Sequence, residues 1–198
     1  MNEWEQRVDE ALTSTDLETR VEGAKWLLPL TERAPDASMA ILAGALLAEE
    51  NPVVLVHLLR CCIAAHDRGG DVWPALRDSS ALDTSGLPSH SGLAFPMIAR
   101  LVIDGHMAAL AHLPTDLWAD GGGVWDALLC DAWVSAWWGI SAAHPTDARK
   151  ALVSLGSVPR EDIPPEFLAF ALRGVAISRL ATAWDRTPPP PLTAEGEP

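Results

Sequence analysis

The segment NPVVLVHLLRCCIAA, residues 51–65, sets the architecture expected of this chain. Asn51 is a favourable residue to cap a helix, and proline is preferred in a first helical turn, so the pair Asn51-Pro52 predicts a helix start. Small and apolar residues then recur at helical spacing. The helix is expected to end near Arg68, where Gly69-Gly70 interrupts it.

The same pattern occurs once earlier in the chain. Residues 16–27, DLETRVEGAKWL, align with residues 51–62 at a shift of 35 residues. Each segment opens with a polar cap and continues with small or apolar residues at helical spacing, and a further helix is predicted between them. Helix, turn, helix, followed by the same pattern again, is typical of an α-solenoid.

The second segment resembles the second helix of a HEAT repeat, which commonly opens with an acidic or amide residue, then proline, then valine. Asn51, Pro52 and Val53 carry the resemblance, and the arginine expected shortly afterwards is present in the first segment as Arg20. The resemblance covers residues 16–68 and implies antiparallel helix pairs stacked as a short solenoid. An irregular helical bundle without a family link is the alternative.

Helical signals dominate the remainder of the chain. Alanine and leucine are abundant, tyrosine is absent, and no segment alternates apolar and polar residues as a strand would. The predicted fold class is therefore all-α, with helices over residues 1–12, 16–33, 36–49, 93–113, 124–140, 146–155 and 165–186 in addition to the one that Asn51 opens. Residues 1–186 are expected to form a single domain with a long loop at 78–92, and the proline-rich tail 187–198 is expected to be disordered.

The charge balance narrows the possible partners. The chain has 198 residues, with 14 basic against 27 acidic ones and a formal net charge of −13. Binding to nucleic acid requires lysine and arginine to displace phosphate counterions, so this composition argues against it. An acidic surface favours solubility or a basic protein partner.

The three cysteines, Cys61, Cys62 and Cys130, lie in apolar segments with no regular spacing. An odd number without a pattern is not a disulfide framework, and a reducing cytoplasm fits it best. The N-terminus is charged and unlike a signal peptide, and no apolar segment reaches membrane-spanning length. The predicted location is cytoplasmic, without membrane association, and the oligomeric state stays open.

The segment VWDALLCDAWVSAWWGI, residues 124–140, contains four of the nine tryptophans. On a helical wheel Trp133 and Trp137 fall in one row, and apolar residues surround the whole helix. A buried helix is the first interpretation. The second is a tryptophan-lined pocket or interface, with Trp133 and Trp137 as binding residues.

Two acidic residues interrupt this segment. Asp126 and Asp131 could accept hydrogen bonds from the indole N–H groups, and Asp126 could favour the helix N-terminus. In the pocket interpretation, Asp131 or Asp126 is a buried acid with a raised pKa and the candidate acid or base of an enzyme.

No other constellation points to catalysis or metal binding. No two histidines have the spacing of three or four residues that a helical zinc site needs, and the glycines at 121–123 lack the remainder of a phosphate-binding loop. We expect no metal and no cofactor.

Two hypotheses about function follow. The first is a non-enzymatic protein-binding module, either an immunity or antitoxin-like protein or a regulatory adaptor, that engages a partner with a basic face. Its candidate binding residues are Glu18, Glu22, Glu49 and Glu50, which fall on the polar sides or ends of the first helices. The alternative is a helical enzyme or small-molecule binder with the tryptophan-lined pocket.

Overall fold

The computed structural model describes residues 3–83, 88–114 and 127–153, and these are helical throughout apart from short turns. The α-helices are α1 (Glu3–Leu12), α2 (Leu17–Arg33), α3 (Pro35–Ala48), α4 (Pro52–His66), α5 (Trp73–Leu76), α6 (Pro88–Ile103), α7 (Ala127–Ala143) and α8 (Pro145–Val153). Two 3₁₀ helices, Ser80–Leu82 and Met107–His112, lie between them. The all-α prediction is confirmed, and the described ranges contain no strand.

The chain groups into two compact units, Met1–Met97 and Ile98–Pro198, each of which is described by itself. The expectation of a single domain over 1–186 stays a prediction. The predicted helix at 165–186 and the tail at 187–198 lie outside the described residues.

Equivalent caps begin α2 and α4. The Asp16 carboxylate accepts a hydrogen bond from the Thr19 backbone N–H at 2.8 Å, and the Asn51 side chain accepts one from Val53 at 2.9 Å. Both cap residues have extended backbones, with φ near −80° and ψ near 120°. These side chains satisfy N–H groups that a helix N-terminus leaves without a partner, which is why the two helices begin where the sequence predicted.

The core of the first unit forms where α2 packs on α4, the most extensive helix contact among the described residues, while α3 packs against both. Ala24, Leu27, Leu58 and Leu59 are fully buried between them. Helix α1 approaches α2 so closely that a Cβ at Gly23 would meet the Ala11 side chain at 2.9 Å. Only glycine fits this crossing.

Helix α3 starts one residue before the predicted position 36, and α2 contains an internal proline. Helix α3 begins at Pro35 after Ala34, so Asp36 lies inside its first turn, and the cap residue Ala34 provides no capping side chain. Pro29 does not split α2, which continues to Arg33. Proline removes one backbone donor and crowds one carbonyl, but the helix ends only four residues later, and neighbouring helices stabilise it.

The loop predicted at 78–92 is shorter than expected. Residues 80–82 form a 3₁₀ helix and α6 begins at Pro88, while residues 84–87 lie outside the described ranges. The helix predicted over 93–113 is interrupted at Gly105, whose φ of +98° is a conformation that glycine adopts without strain. The His106 N–H then bonds back to the Leu101 carbonyl at 2.9 Å and closes the end of α6.

The second unit contains α7, which carries the tryptophans, packed against α8. Trp133 and Trp137 are 2% and 0% exposed, whereas Trp138 on the same helix is 41% exposed. The end of α6 lies close to α7, because a Cβ at Gly139 would meet the Ile103 Cδ1 at 3.2 Å. Within the parts of the chain that the structure describes, no helix is both long and apolar enough to cross a membrane.

Cys61 and Cys62 are fully buried in α4, and both thiols are free. Burial raises the pKa of Cys61 to about 12 and that of Cys62 well above its ordinary value. Because the thiolate is the reactive form, we expect neither to react with Ellman's reagent in the native protein, and both to react in denaturant. The measurement uses a Cys130→Ser background so that only these two thiols report, and rapid labelling of the native chain would contradict the prediction.

His90, in the first turns of α6, is 2% exposed. Burial lowers its pKa from 6.5, against smaller raising effects of the Ala81 backbone and the Asp83 carboxylate. The unfolded chain therefore binds a proton that the folded chain resists, and the free energy of unfolding should fall as the pH drops below about 6.5. Urea titrations between about pH 7.5 and 5.5 should show a flatter dependence in His90→Leu. The free energy of unfolding of His90→Leu should still depend weakly on pH because of His57, whose pKa is lowered by burial and then by the charges of Arg60 and Lys25.

Candidate functional site

An open groove of about 780 Å³ lies on the first unit, where helix ends meet. One wall is the C-terminal end of α1 with the turn that follows it. The other is the second half of α3 with the turn that leads into α4. Its charged lining residues are Asp9, Arg20, Glu49 and Glu50.

A single ion pair ties these two walls together. The Arg20 Nε donates to the Glu49 Oε2 at 2.8 Å, and the side chains are 22% and 9% exposed. The Arg20 Nη1 also donates to the backbone carbonyls of Ser14 and Thr15, at 3.1 and 3.2 Å. Arg20 therefore fixes the α1–α2 turn to the α3–α4 turn through its Nε and Nη1 groups.

Glu49 also makes several hydrogen bonds within the fold. Its Oε1 accepts hydrogen bonds from the backbone N–H groups of Asn51 at 2.8 Å and Glu50 at 3.2 Å. The Ser80 hydroxyl donates to the Glu49 carbonyl at 3.0 Å. The Glu49 side chain thus shapes the turn between α3 and α4 and neutralises Arg20, the one cation that lines the groove among the described residues.

The remaining charges make the groove electronegative. Once Arg20 and Glu49 are paired, the carboxylates of Asp9 and Glu50 remain, and no described cation forms an ion pair with either. The C-terminal ends of α1 and α3 meet the N-terminal ends of α2 and α4 nearby, so their partial charges of opposite sign largely offset each other. The two carboxylates therefore decide the sign of the potential.

The floor of the groove is apolar and small. Gly44, Ala45 and Ala48 present one side of α3, with Leu58 below. A Cβ built on Gly44 would meet nothing within 4 Å. Glycine inside a helix costs about 1 kcal/mol relative to alanine, and here no close contact within the fold requires it.

The structure separates the predicted acidic residues into two groups. Glu18, Glu22 and Glu50 are exposed, as expected of partner-facing residues, and Glu22 bonds Lys25 at 2.7 Å. Glu49 differs: it is only 8% exposed and is bound to Arg20. Its place in the sequence, beside Glu50 at a helix end, suggested a surface position, but its side chain turns inward to pair with the half-buried Arg20.

The tryptophans predicted to bind lie in the interior of the second unit. The Nε1 groups of Trp133 and Trp137 both donate to the Pro114 carbonyl, at 2.7 and 3.4 Å. One backbone carbonyl therefore accepts from both indole N–H groups, and an acceptor role for Asp126 or Asp131 stays a prediction. Asp126 lies outside the described residues, and Asp131 is within α7 with its side chain outside the description. Both indoles are therefore buried and hydrogen-bonded inside the unit, and their role as binding residues stays a prediction.

Within the described ranges, no group of three histidine, cysteine or acidic side chains could hold a metal ion. Comparison with known proteins places the chain in no family: no family model, no curated protein and no solved structure matches it.

The sequence pointed to Glu50 but missed the groove. Asp9 and Arg20 carried no site signal, because their proximity depends on how the turns pack. Gly44 could have been found, since a glycine in the middle of an otherwise favourable helix is a local anomaly.

Proposed function

We propose that this chain is a non-enzymatic protein-binding module that engages a partner through a basic face. The observation that carries the proposal is the groove of the first unit. Among the residues that the structure describes, Arg20 is its only lining cation and is paired with Glu49, whereas Asp9 and Glu50 form no ion pair. Glu18 and Glu22, exposed on α2, extend the acidic character beyond it. A basic partner would gain favourable charge pairs there at little cost in rearrangement.

A HEAT-like arrangement of the first unit is part of this proposal. The 35-residue shift places the buried residues Ala24 and Leu27 on Leu59 and Cys62, which are also buried. The same shift aligns the cap residue Asp16 with the cap residue Asn51. Helices at equivalent positions in a solenoid pack side by side, and α2 and α4 do so here. Such arrays present extended surfaces to protein partners.

Two biological roles suit this chemistry. An immunity or antitoxin-like protein would neutralise a basic toxin, and a regulatory adaptor would hold a basic segment of a target. A capture experiment with the full chain from its native host, followed by intact-mass analysis, distinguishes them through the identity of the bound protein.

Association with the partner is expected to depend strongly on salt. Screening shortens the range of charge attraction from about 10 Å at 0.1 M to about 3 Å at 1 M, and complementary charge acts mainly on encounter. The association rate should therefore fall by at least about tenfold over this range, while the dissociation rate changes less. Stopped-flow kinetics with the purified partner measure both.

A matched pair of variants locates the effect. Glu22→Lys with Glu50→Lys reverses two exposed acids near the groove and on α2, and should slow capture. Asp67→Lys with Asp78→Lys makes the same change in net charge elsewhere on the first unit and should slow it less. An association rate that changes neither with salt nor in either double variant would mean that the acidic residues serve solubility alone.

A further inference from the structure

We propose that the groove is an anchor site for a lysine or arginine side chain carried on an apolar segment of the partner protein. This inference rests on the proposed function and deepens it. The side chain's aliphatic part would lie along the floor at Gly44 and Ala48. Its cationic end would reach the carboxylates of Asp9 and Glu50.

The charge of the occupant follows from the pairing of Arg20. An anion would need a free positive charge, but the Arg20 charge is paired with Glu49, and its Nε and Nη1 already donate to Glu49, Ser14 and Thr15. A cation meets two carboxylates that no described ion pair uses. Hydrogen bonds between a charged donor and a carboxylate are about twice as strong as neutral ones, so a guanidinium or ammonium group gains most.

The size and floor of the groove argue for a side chain with its flanking peptide rather than for a single ion. Its volume of about 780 Å³ lies in the range of roughly 300–1,000 Å³ that is usual for organic ligand sites. Long cationic side chains bury their methylene groups on apolar surface while the charge stays near water. The bare Cα of Gly44 leaves space for such methylenes, because no atom of the described residues lies within 4 Å of a Cβ placed there.

The surroundings favour apolar residues next to the cation. Leu47 and Val53 are 61% and 43% exposed, and each is adjacent in sequence to groove residues, Ala48 on one side and Pro52 on the other. Exposed large apolar side chains beside a charged groove are typical of a contact surface. The partner segment is therefore expected to place apolar residues on either side of its cation.

The test uses a defined probe, N-acetyl-leucyl-arginyl-leucinamide, titrated into the full-length ¹⁵N-labelled chain. We expect chemical-shift changes concentrated at Gly44, Ala48 and Glu50. The citrulline analogue has nearly the same shape without the charge, and should bind about tenfold more weakly. Shifts spread evenly over all exposed acids, or equal binding of the two peptides, would overturn the proposal.

Two substitutions at one position separate filling of the groove from damage to the fold. Gly44→Leu should abolish the probe's shifts by occupying the floor. Gly44→Ala adds only one methyl group in open space, should raise the unfolding midpoint, and should keep most of the binding. Undiminished binding by a folded Gly44→Leu variant would contradict the proposal.

A second control separates this inference from the general proposal. Asp9→Asn with Glu50→Gln should weaken binding of the probe by about tenfold. Glu32→Gln with Asp36→Asn, an equal change on either side of the α2–α3 turn, should not weaken it. If both pairs of substitutions weaken binding of the natural partner equally, the anchor site is wrong, but the proposal of a partner with a basic face is retained. If neither pair nor salt affects the natural partner, the proposed function fails as well.

Discussion

Replacing Trp133 by alanine is expected to lower the free energy of unfolding by about 3–5 kcal/mol, the range measured for deleting large buried aromatic side chains. Trp133 is 2% exposed, and its indole N–H donates to the Pro114 carbonyl at 2.7 Å. The variant would lose the packing of the ring and leave this carbonyl with only the longer bond from Trp137. Urea denaturation followed by circular dichroism measures the loss.

Two variants of the same helix divide this effect into its parts. Trp133→Phe keeps most of the apolar contact and removes the hydrogen bond, so it should lose about 1–3 kcal/mol. Trp138→Ala, at a position that is 41% exposed, should lose about 1 kcal/mol or less. A Trp133→Ala protein as stable as the parent would mean that this indole does not belong to the core.

Replacing Glu49 by lysine is expected to lower the free energy of unfolding by about 3 kcal/mol, because it breaks a largely buried ion pair and sets two positive charges against each other. The new ammonium group would face Arg20, and the turn N–H groups of Asn51 and Glu50 would lose their acceptor. Thermal and urea denaturation should both show the loss.

Glu50→Lys is the matched control for this prediction. Glu50 is exposed and adjacent, so its reversal makes the same change in net charge and should alter stability by about 0.5 kcal/mol or less. Arg20→Met combined with Glu49→Met should be more stable than either single change, because no charge is then left buried alone. Equal losses in Glu49→Lys and Glu50→Lys would contradict the role of the ion pair.

Local chemistry explains what the sequence could predict about the fold. The caps Asp16 and Asn51 satisfy backbone donors within three residues, so their effect is visible without tertiary information. The break at Gly105 was missed because apolar residues continue beyond it, and the periodicity concealed a change of backbone direction. Helix α3 starts at Pro35, where the fixed φ of proline replaces a capping side chain.

The candidate site was less accessible from sequence because it depends on distant residues. Arg20 and Glu49 are 29 positions apart, and only the packed turns show that they bind each other. Spacing on a wheel placed Trp133 and Trp137 in one row but could not distinguish a pocket wall from a core. The acceptor at Pro114 lies 19 and 23 residues away, before α7 begins.

The aromatic contact between α1 and α2 has a spectroscopic consequence. The rings of Trp4 and Trp26 are 5.9 Å apart and inclined by 42°, close enough for their electronic transitions to couple. Such a pair should produce an exciton doublet in the circular dichroism of the native chain, and Trp4→Phe would remove it. Because Asp9 and Leu12 of α1 form one wall of the groove, the doublet would show optically, without any label, whether that wall is in place.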